Sequence, residues 1–171
     1  MSFEPLRRTG TTDFRLRPAT AADAAVLREL VFGVLAEYGL HPEPEGIDAD
    51  LADVDSTYGQ KGGRFDVLVD AHDQIVGTVG LLPRSDGEIE LRKMYLRSEF
   101  RGRGLGRFLL AHALGAARAR GFRRMTLETA TVLCEAVRLY ERHGFLPVAN
   151  CGTHSCRCDL VMALDLTATG A

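Results

Sequence analysis
The chain has 171 residues, of which 46% are hydrophobic and 26% charged, with a formal net charge of −2. That size and balance suit one globular domain with a sizeable core, and the charge does not suggest a nucleic-acid binder. No apolar run approaches the roughly 20 residues that span a bilayer, and MSFEPLRRTGTTDF lacks the apolar segment of a secretory signal.

Residues 1–12 read as a loose leader and 13–171 as a single domain. Phe14 to Pro18 alternates as a strand does. Thr20 has the character of an N-cap, with Asp23 in the first turn. Leu27, Leu30, Val31, Val34, Leu35 and Tyr38 recur at helical spacing, predicting a helix that ends near Gly39. Residues 37–60 then carry Glu37, Glu43, Glu45, Asp48, Asp50, Asp53 and Asp55, with no Lys or Arg among them. Pro42, Pro44 and Gly46 break the first half, and Asp48 to Tyr58 reads as a short helix. This stretch is either a solvated acidic surface or a rim that attracts a cationic ligand.

Arg64 to Val69 and Gln74 to Leu82 are predicted strands, joined at Ala71-His72-Asp73. Asp86-Gly87 turns the chain into a third, Glu88 to Leu96. Helical spacing begins at Leu105 and stops before Gly121. Arg124 to Thr129 is a further strand. Val132, Leu133, Ala136, Val137 and Tyr140 give an amphipathic helix that closes at His143-Gly144. Phe145 to Ala149 and Asp159 to Leu166 complete the set. The order is β-α-α-β-β-β-α-β-α-β-β. The strand-helix-strand unit from Glu88 to Thr129 predicts a parallel pair with a right-handed crossover.

The organising stretch lies inside that unit. Arg101-Gly102-Arg103-Gly104-Leu105-Gly106 sets three glycines in five positions at the start of a helix. Glycine permits backbone conformations and close approaches closed to other residues. The helix start supplies free N–H groups and a partial positive charge, which suits phosphate. The spacing is neither the dinucleotide G-x-G-x-x-G nor the P-loop Gly-Lys-Ser/Thr. It resembles the R/Q-x-x-G-x-G/A signature with which GNAT-superfamily N-acetyltransferases hold the pyrophosphate of CoA.

The resemblance covers roughly Phe14 to Leu166. ELRKMYL (Glu90 to Leu96) is similar to that family's fourth strand and RGRGLG to its CoA loop. LET (Leu127 to Thr129) is similar to its fifth strand, and LYERHGF (Leu139 to Phe145) to its last helix and exit turn. The YGL segment and the C-terminal GTHSC (Gly152 to Cys156) further resemble a bacterial subgroup, some members of which are fused to a MarR-type DNA-binding domain. Here only about a dozen residues precede the first strand, so no such fusion is expected. The resemblance implies an α/β (α+β) GNAT-like fold, with a mixed sheet of about six or seven strands flanked by about four helices. It implies acetyl-CoA as cosubstrate, a primary amine of a small molecule, amino acid or peptide as acceptor, and direct transfer. An acyl-CoA-sensing module without turnover is the alternative, and a nucleotide-phosphate binder of another fold is a third reading. Dimerisation is common in the family.

The same resemblance distributes roles. The backbone of Arg101, Gly102, Arg103, Gly104, Leu105 and Gly106 would hold the pyrophosphate, with Arg97, Arg103 and Arg107 as charge partners. Glu90 aligns with a strand-four carboxylate used as general base, with Glu88 and Glu128 as substitutes; the competing reading of Glu90 is an ion pair with Arg92 or another cation. A bulge in strand four would free the N–H of Met94 for the oxyanion, and the backbone of Met94 and Leu96 would line the pantetheine arm. Tyr140 matches the tyrosine that protonates the leaving thiolate.

Four cysteines without a signal argue for a reducing cytoplasm and free thiols. Cys151, His154, Cys156 and Cys158 cluster, but no C-x-x-C pair is present and no metal is expected. His154 is a candidate border of the acceptor pocket. Cys134 has no His/Asp partner arrangement that would make it a nucleophile.

Overall fold
The computed structural model describes residues 13–85, 87–149 and 155–167. The leader 1–12, Asp86, Cys151 and His154 lie outside them. Seven strands form one mixed sheet in the order β1-β2-β3-β4-β5-β7-β6. They are β1 (Arg15–Pro18), β2 (Arg64–Val69), β3 (Ile75–Ser85), β4 (Glu88–Leu96), β5 (Arg124–Thr129), β6 (Leu146–Pro147) and β7 (Leu160–Asp165). The helices are α1 (Ala24–Glu37), α2 (Leu105–Ala119) and α3 (Cys134–Arg142). β4 and β5 pair in parallel, as the crossover predicts, and the other neighbours are antiparallel.

Alternation along the strands builds two cores. Leu68, Val76 and Leu81 face one way and pack with Leu109, Leu110 and Ala113 of α2, joined by Tyr140 and Phe145. Val67, Val69 and Leu82 face the other way and pack with Leu27, Leu30 and Val31 of α1. A sheet covered on both faces explains why every residue of β2 past Arg64 is buried. Each such Leu or Val contributes about 1.5–3 kcal/mol by leaving water.

The turns follow their side chains. At Thr20 the backbone N–H and the hydroxyl both donate to the Asp23 carboxylate, at 2.8 and 3.1 Å. In the β2–β3 hairpin Asp73 takes φ 65°. There Asp70 accepts from the amides of His72 and Gln74, at 2.9 and 3.0 Å.

One expected element differs. The helix anticipated over Asp48–Tyr58 is instead a 3-10 turn at Ala49–Leu51 and a π turn at Asp55–Gly59. The carboxylates of Asp48 and Asp50 point into the protein, and the chain bends to deliver them.

Candidate active site
β4 carries a bulge. Thr78 pairs with Tyr95 and Gly80 with Arg92, so Lys93 and Met94 together oppose Val79. Lys93 takes φ 50°. The parallel ladder of β4 and β5 ends at Leu91 and Leu127, whereas β5 stays paired with β7 as far as Thr129. Past that point β4 and β5 part. Between them opens a cleft of about 300 Å³, walled by Met94, Tyr95 and Leu96 of β4 and by Glu128 and Thr129 of β5. Leu35 and Tyr38 close it on the α1 side, and Leu139 and Tyr140 on the α3 side.

The glycine loop forms one end of the cleft. Gly102 and Gly104 take φ 71° and 79°. A Cβ on either would meet nothing within 4 Å, so the glycines leave open space for a ligand. The first helical bond of α2 runs from Phe108 N–H to Gly104 C=O at 3.1 Å, leaving the preceding amides without a helical acceptor. Gly106 faces α3, where a Cβ would sit in ordinary contact with Leu139 Cδ2 at 3.5 Å. The geometry fits a diphosphate. Leu105 contributes backbone at the helix start, while its side chain is buried in the core.

The arginines divide their work. Arg107 lines the cleft. Arg97 is turned away, donating to Glu29 and to the Ile75 carbonyl, both at 3.0 Å. Arg103 stacks on Phe100, 5.2 Å from its centroid. Arg101 also lines the cleft, but its Nη1 donates to Glu37 at 2.6 Å and its guanidinium lies over Tyr38. The count of arginines therefore overstates the cationic charge turned toward the cleft. Arg97 and Arg101 join the loop to α1 instead.

Tyr140 is 6% exposed and tilts against Phe145, with ring centroids 5.7 Å apart. Burial, reinforced by nearby Tyr95, pushes its phenol above the ordinary value. Burial likewise pushes Tyr95 up to about 12. Tyr95 escaped the sequence reading because the bulge resets which side chains face the cleft.

Glu90 lies elsewhere. It pairs with Leu82 and Thr126, in the closed part of the ladder, and is 5% exposed. Arg84 donates to its carboxylate and Arg92 is 3.9 Å away. It is not among the residues that wall the cleft, and its surroundings are those of a structural ion pair. Glu88 is paired with Arg124 at 3.6 Å. Two carboxylates line the cleft, Glu135 on α3 and Glu128 on β5 where it parts from β4, and Glu128 lies near enough to Arg92 and Cys158 to bear on both electrostatically.

Two of the seven acids of the 37–60 stretch turn inward, while Glu37, Glu45, Asp53 and Asp55 stay exposed. Asp48 and Asp50 are 1% and 6% exposed. Lys93 Nζ reaches Asp48 at 3.0 Å and Asp50 at 3.4 Å. Arg157 grips both oxygens of Asp48 at 2.6 and 2.7 Å. Tyr58 donates to Asp50 at 2.6 Å. These two carboxylates are spent on cations of the fold, so the expectation of a rim for a cationic acceptor does not extend to them.

Burial drives the Asp48 carboxyl up, but Arg157 and Lys93 outweigh it and hold it below the ordinary range. Asp66 behaves alike, since burial is overcome by hydrogen bonds from His112 and Arg64. A carboxylate held low when folded contributes its full stability above its unfolded value, about 3.9, and loses it as pH falls from there through the lower folded-state value. Tm is expected to hold from about pH 7 to 5 and to fall below about pH 4. A Tm that stays flat down to about pH 3 would contradict the assignment.

Cys158 is half-buried, lines the cleft and is pushed up to about 11 by burial, with Arg157 opposing. Cys134 and Cys156 are exposed. Among the described residues no group of three His, Cys, Asp or Glu side chains is placed to hold a metal ion. No helix among them is long and apolar enough to cross a membrane.

A family model described as "Acetyltransferase (GNAT) family" matches residues 34–145, from the cleft-facing part of α1 to the end of the exit turn. The chain belongs to the GNAT acetyltransferase family. It is an acyltransferase that uses acetyl-CoA, with the mixed seven-stranded fold of that family. This GNAT chain is 36% identical over 135 residues to "Uncharacterized N-acetyltransferase YjgM" of Escherichia coli, covering 76% of the chain and 80% of that protein. It is similar to the crystal structure of a GNAT-family acetyltransferase from Staphylococcus aureus Mu50, with TM-score 0.84, 19% identity, and 90% and 99% of the two chains covered. It is also similar to a phosphinothricin acetyltransferase from Sinorhizobium meliloti in complex with AcCoA. There the TM-score is 0.70 at 25% identity, with 92% of each chain covered.

Proposed function
We propose that this protein transfers the acetyl group of acetyl-CoA directly to a primary amine of a small molecule, amino acid or peptide, within the cleft between β4 and β5. The observation that carries the reading is the split of β4 from β5 at a bulge, with a glycine-lined helix start at one end and Tyr140 on the wall. Acetyl-CoA supplies an activated thioester. The amides from Gly102 to Gly106 would bind its pyrophosphate, helped by Arg107, the Arg101 N–H being engaged instead by the Ser98 carbonyl at 3.2 Å, and the backbone of Met94 and Leu96 would line its arm. The Met94 N–H would stabilise the oxyanion that develops at the carbonyl. Tyr140 would give its proton to the departing thiolate.

Glu90 is the base that the family resemblance implies. Its burial against Arg84, outside the cleft, favours Glu128 instead. A carboxylate walling the cleft can accept the amine proton directly or through one water. Solved neighbours support an amine acceptor, since one is a spermidine N-acetyltransferase chimera. Kinship with the subgroup that includes MarR fusions rests on the sequence motifs and is part of the proposal. A reducing compartment belongs to it too, supported by three free cysteines among the described residues.

The test is thiol release from acetyl-CoA across a panel of primary amines. Turnover of at least one amine is expected. Glu128→Gln should then lower kcat/KM for that amine by about 100-fold, and Glu90→Gln by much less. Tight CoA binding without turnover of any amine would favour the sensing module. Equal activity of Glu128→Gln and the parent would remove Glu128 from the mechanism.

A further inference from the structure
The peptide unit between Lys93 and Met94 is held from both sides. The Thr78 hydroxyl donates to the Lys93 carbonyl at 2.6 Å, and Thr78 is fully buried on the neighbouring strand β3. The described residues contain no cis peptide. In a trans peptide the C=O and the following N–H point in opposite directions. A Lys93 carbonyl fixed toward β3 therefore turns the Met94 N–H away from β3, to the side on which β5 and the cleft lie.

The bulge puts Lys93 in the left-handed region, which disfavours a residue with a Cβ unless its surroundings hold it. Its side chain provides that hold. The chain is 3% exposed, and its ammonium meets Asp48, Asp50 and the Ile47 carbonyl, the last at 3.0 Å. Asp48 is itself fixed by Arg157 and by the Glu43 amide at 2.8 Å. The ammonium thus ties the bulge to the 43–50 loop and, through Asp48, to the segment that carries Cys158 into the cleft.

We propose that Thr78 and Lys93 are positioning residues for acetyl transfer. Thr78 sets the plane of the Lys93–Met94 peptide, and the buried Lys93 ammonium locks the bulge in register, so that the Met94 N–H is aimed where the oxyanion forms. Thr78 is not among the residues that line the cleft, and the Lys93 ammonium is engaged by Asp48 and Asp50. This inference rests on the assignment of the Met94 amide made above.

The experiment compares Thr78→Val, Thr78→Ser and the parent. Activity is read with the amine that the parent acetylates fastest, alongside Kd for acetyl-CoA and Tm. Valine keeps the volume and removes the donor; serine keeps the donor. Thr78→Val should lower kcat by about 10–100-fold while Kd for acetyl-CoA stays within about twofold. Thr78→Ser should recover kcat to within about threefold of the parent. Lys93→Met should repeat the loss of kcat with unchanged Kd, and if it does not fold, Asp48→Asn carries the same expectation. An unchanged kcat in Thr78→Val overturns the proposal, as does an equal loss in valine and serine variants. Failure of the parent to acetylate any amine would overturn the underlying reading, a result these variants do not mimic.

Discussion

Gly104→Glu should weaken acetyl-CoA binding by about 100-fold or more while the protein stays folded. Gly104 caps α2 at φ 79°, a region where a residue with a Cβ is disfavoured by about 1–2 kcal/mol. Nothing lies within 4 Å of its missing Cβ, so the new side chain occupies ligand space and does not clash with the core. Its carboxylate would also compete for the amides at the helix start and repel a diphosphate. Each charge-assisted hydrogen bond lost is worth about 1.5–3 kcal/mol. Together these weaken binding by about 100-fold or more, since 1.4 kcal/mol is a factor of ten. Gly104→Ala carries the strain without the charge and should lose much less. Calorimetric titration of the two variants separates these effects. Unchanged affinity in Gly104→Glu would mean that the pyrophosphate is held elsewhere.

Tyr140→Phe is expected to lower kcat by about 100-fold or more and to leave Kd for acetyl-CoA within about twofold. The ring keeps its contact with Phe145, so the core on that face is preserved. Only the hydroxyl, and with it the proton donor, is lost. Burial holds the phenol above its ordinary value of about 10, so it stays protonated throughout the neutral range. The kcat profile should therefore show no basic limb from this group below about pH 10. Thiol release under saturating acetyl-CoA measures both quantities. A kcat equal to the parent's would remove Tyr140 from the chemistry.

Local pattern made much of the fold legible. β2 and β5 fall where alternation put them, and α2 begins at the residue where helical spacing begins. The glycine loop could be read because left-handed backbone and open space at a helix start leave a mark in sequence. Placement of the carboxylates could not. Glu90 and Glu128 sit in equally convincing strands, and which one meets the cleft depends on where the β4–β5 ladder ends. That point is set by a bulge opposite Val79, a property of two strands together.

The reading of the acidic stretch as a solvated surface holds at Glu37, Glu45, Asp53 and Asp55 and fails at Asp48 and Asp50, for a related reason. Seven acids without an intervening cation look solvated in sequence, yet Asp48 meets a guanidinium 109 positions away. Local composition does not register partners that distant. The same inward pull divides the anticipated helix at Asp48–Tyr58 into two short turns. Tyr95 was hidden by the change of side-chain parity that the bulge imposes.

The most direct test of the account is a thermal-shift titration with acetyl-CoA, CoA, ATP and NAD side by side. A ligand that binds only the folded chain adds about 2.7 kcal/mol at one hundred times its Kd. For a chain of this size that raises Tm by about 5–10 °C. This rise is expected with acetyl-CoA and CoA, and none with NAD or ATP at equal concentration. No rise with either CoA species, or an equal rise with ATP, would contradict the assignment of the Arg101–Gly106 loop and of the cleft built around it.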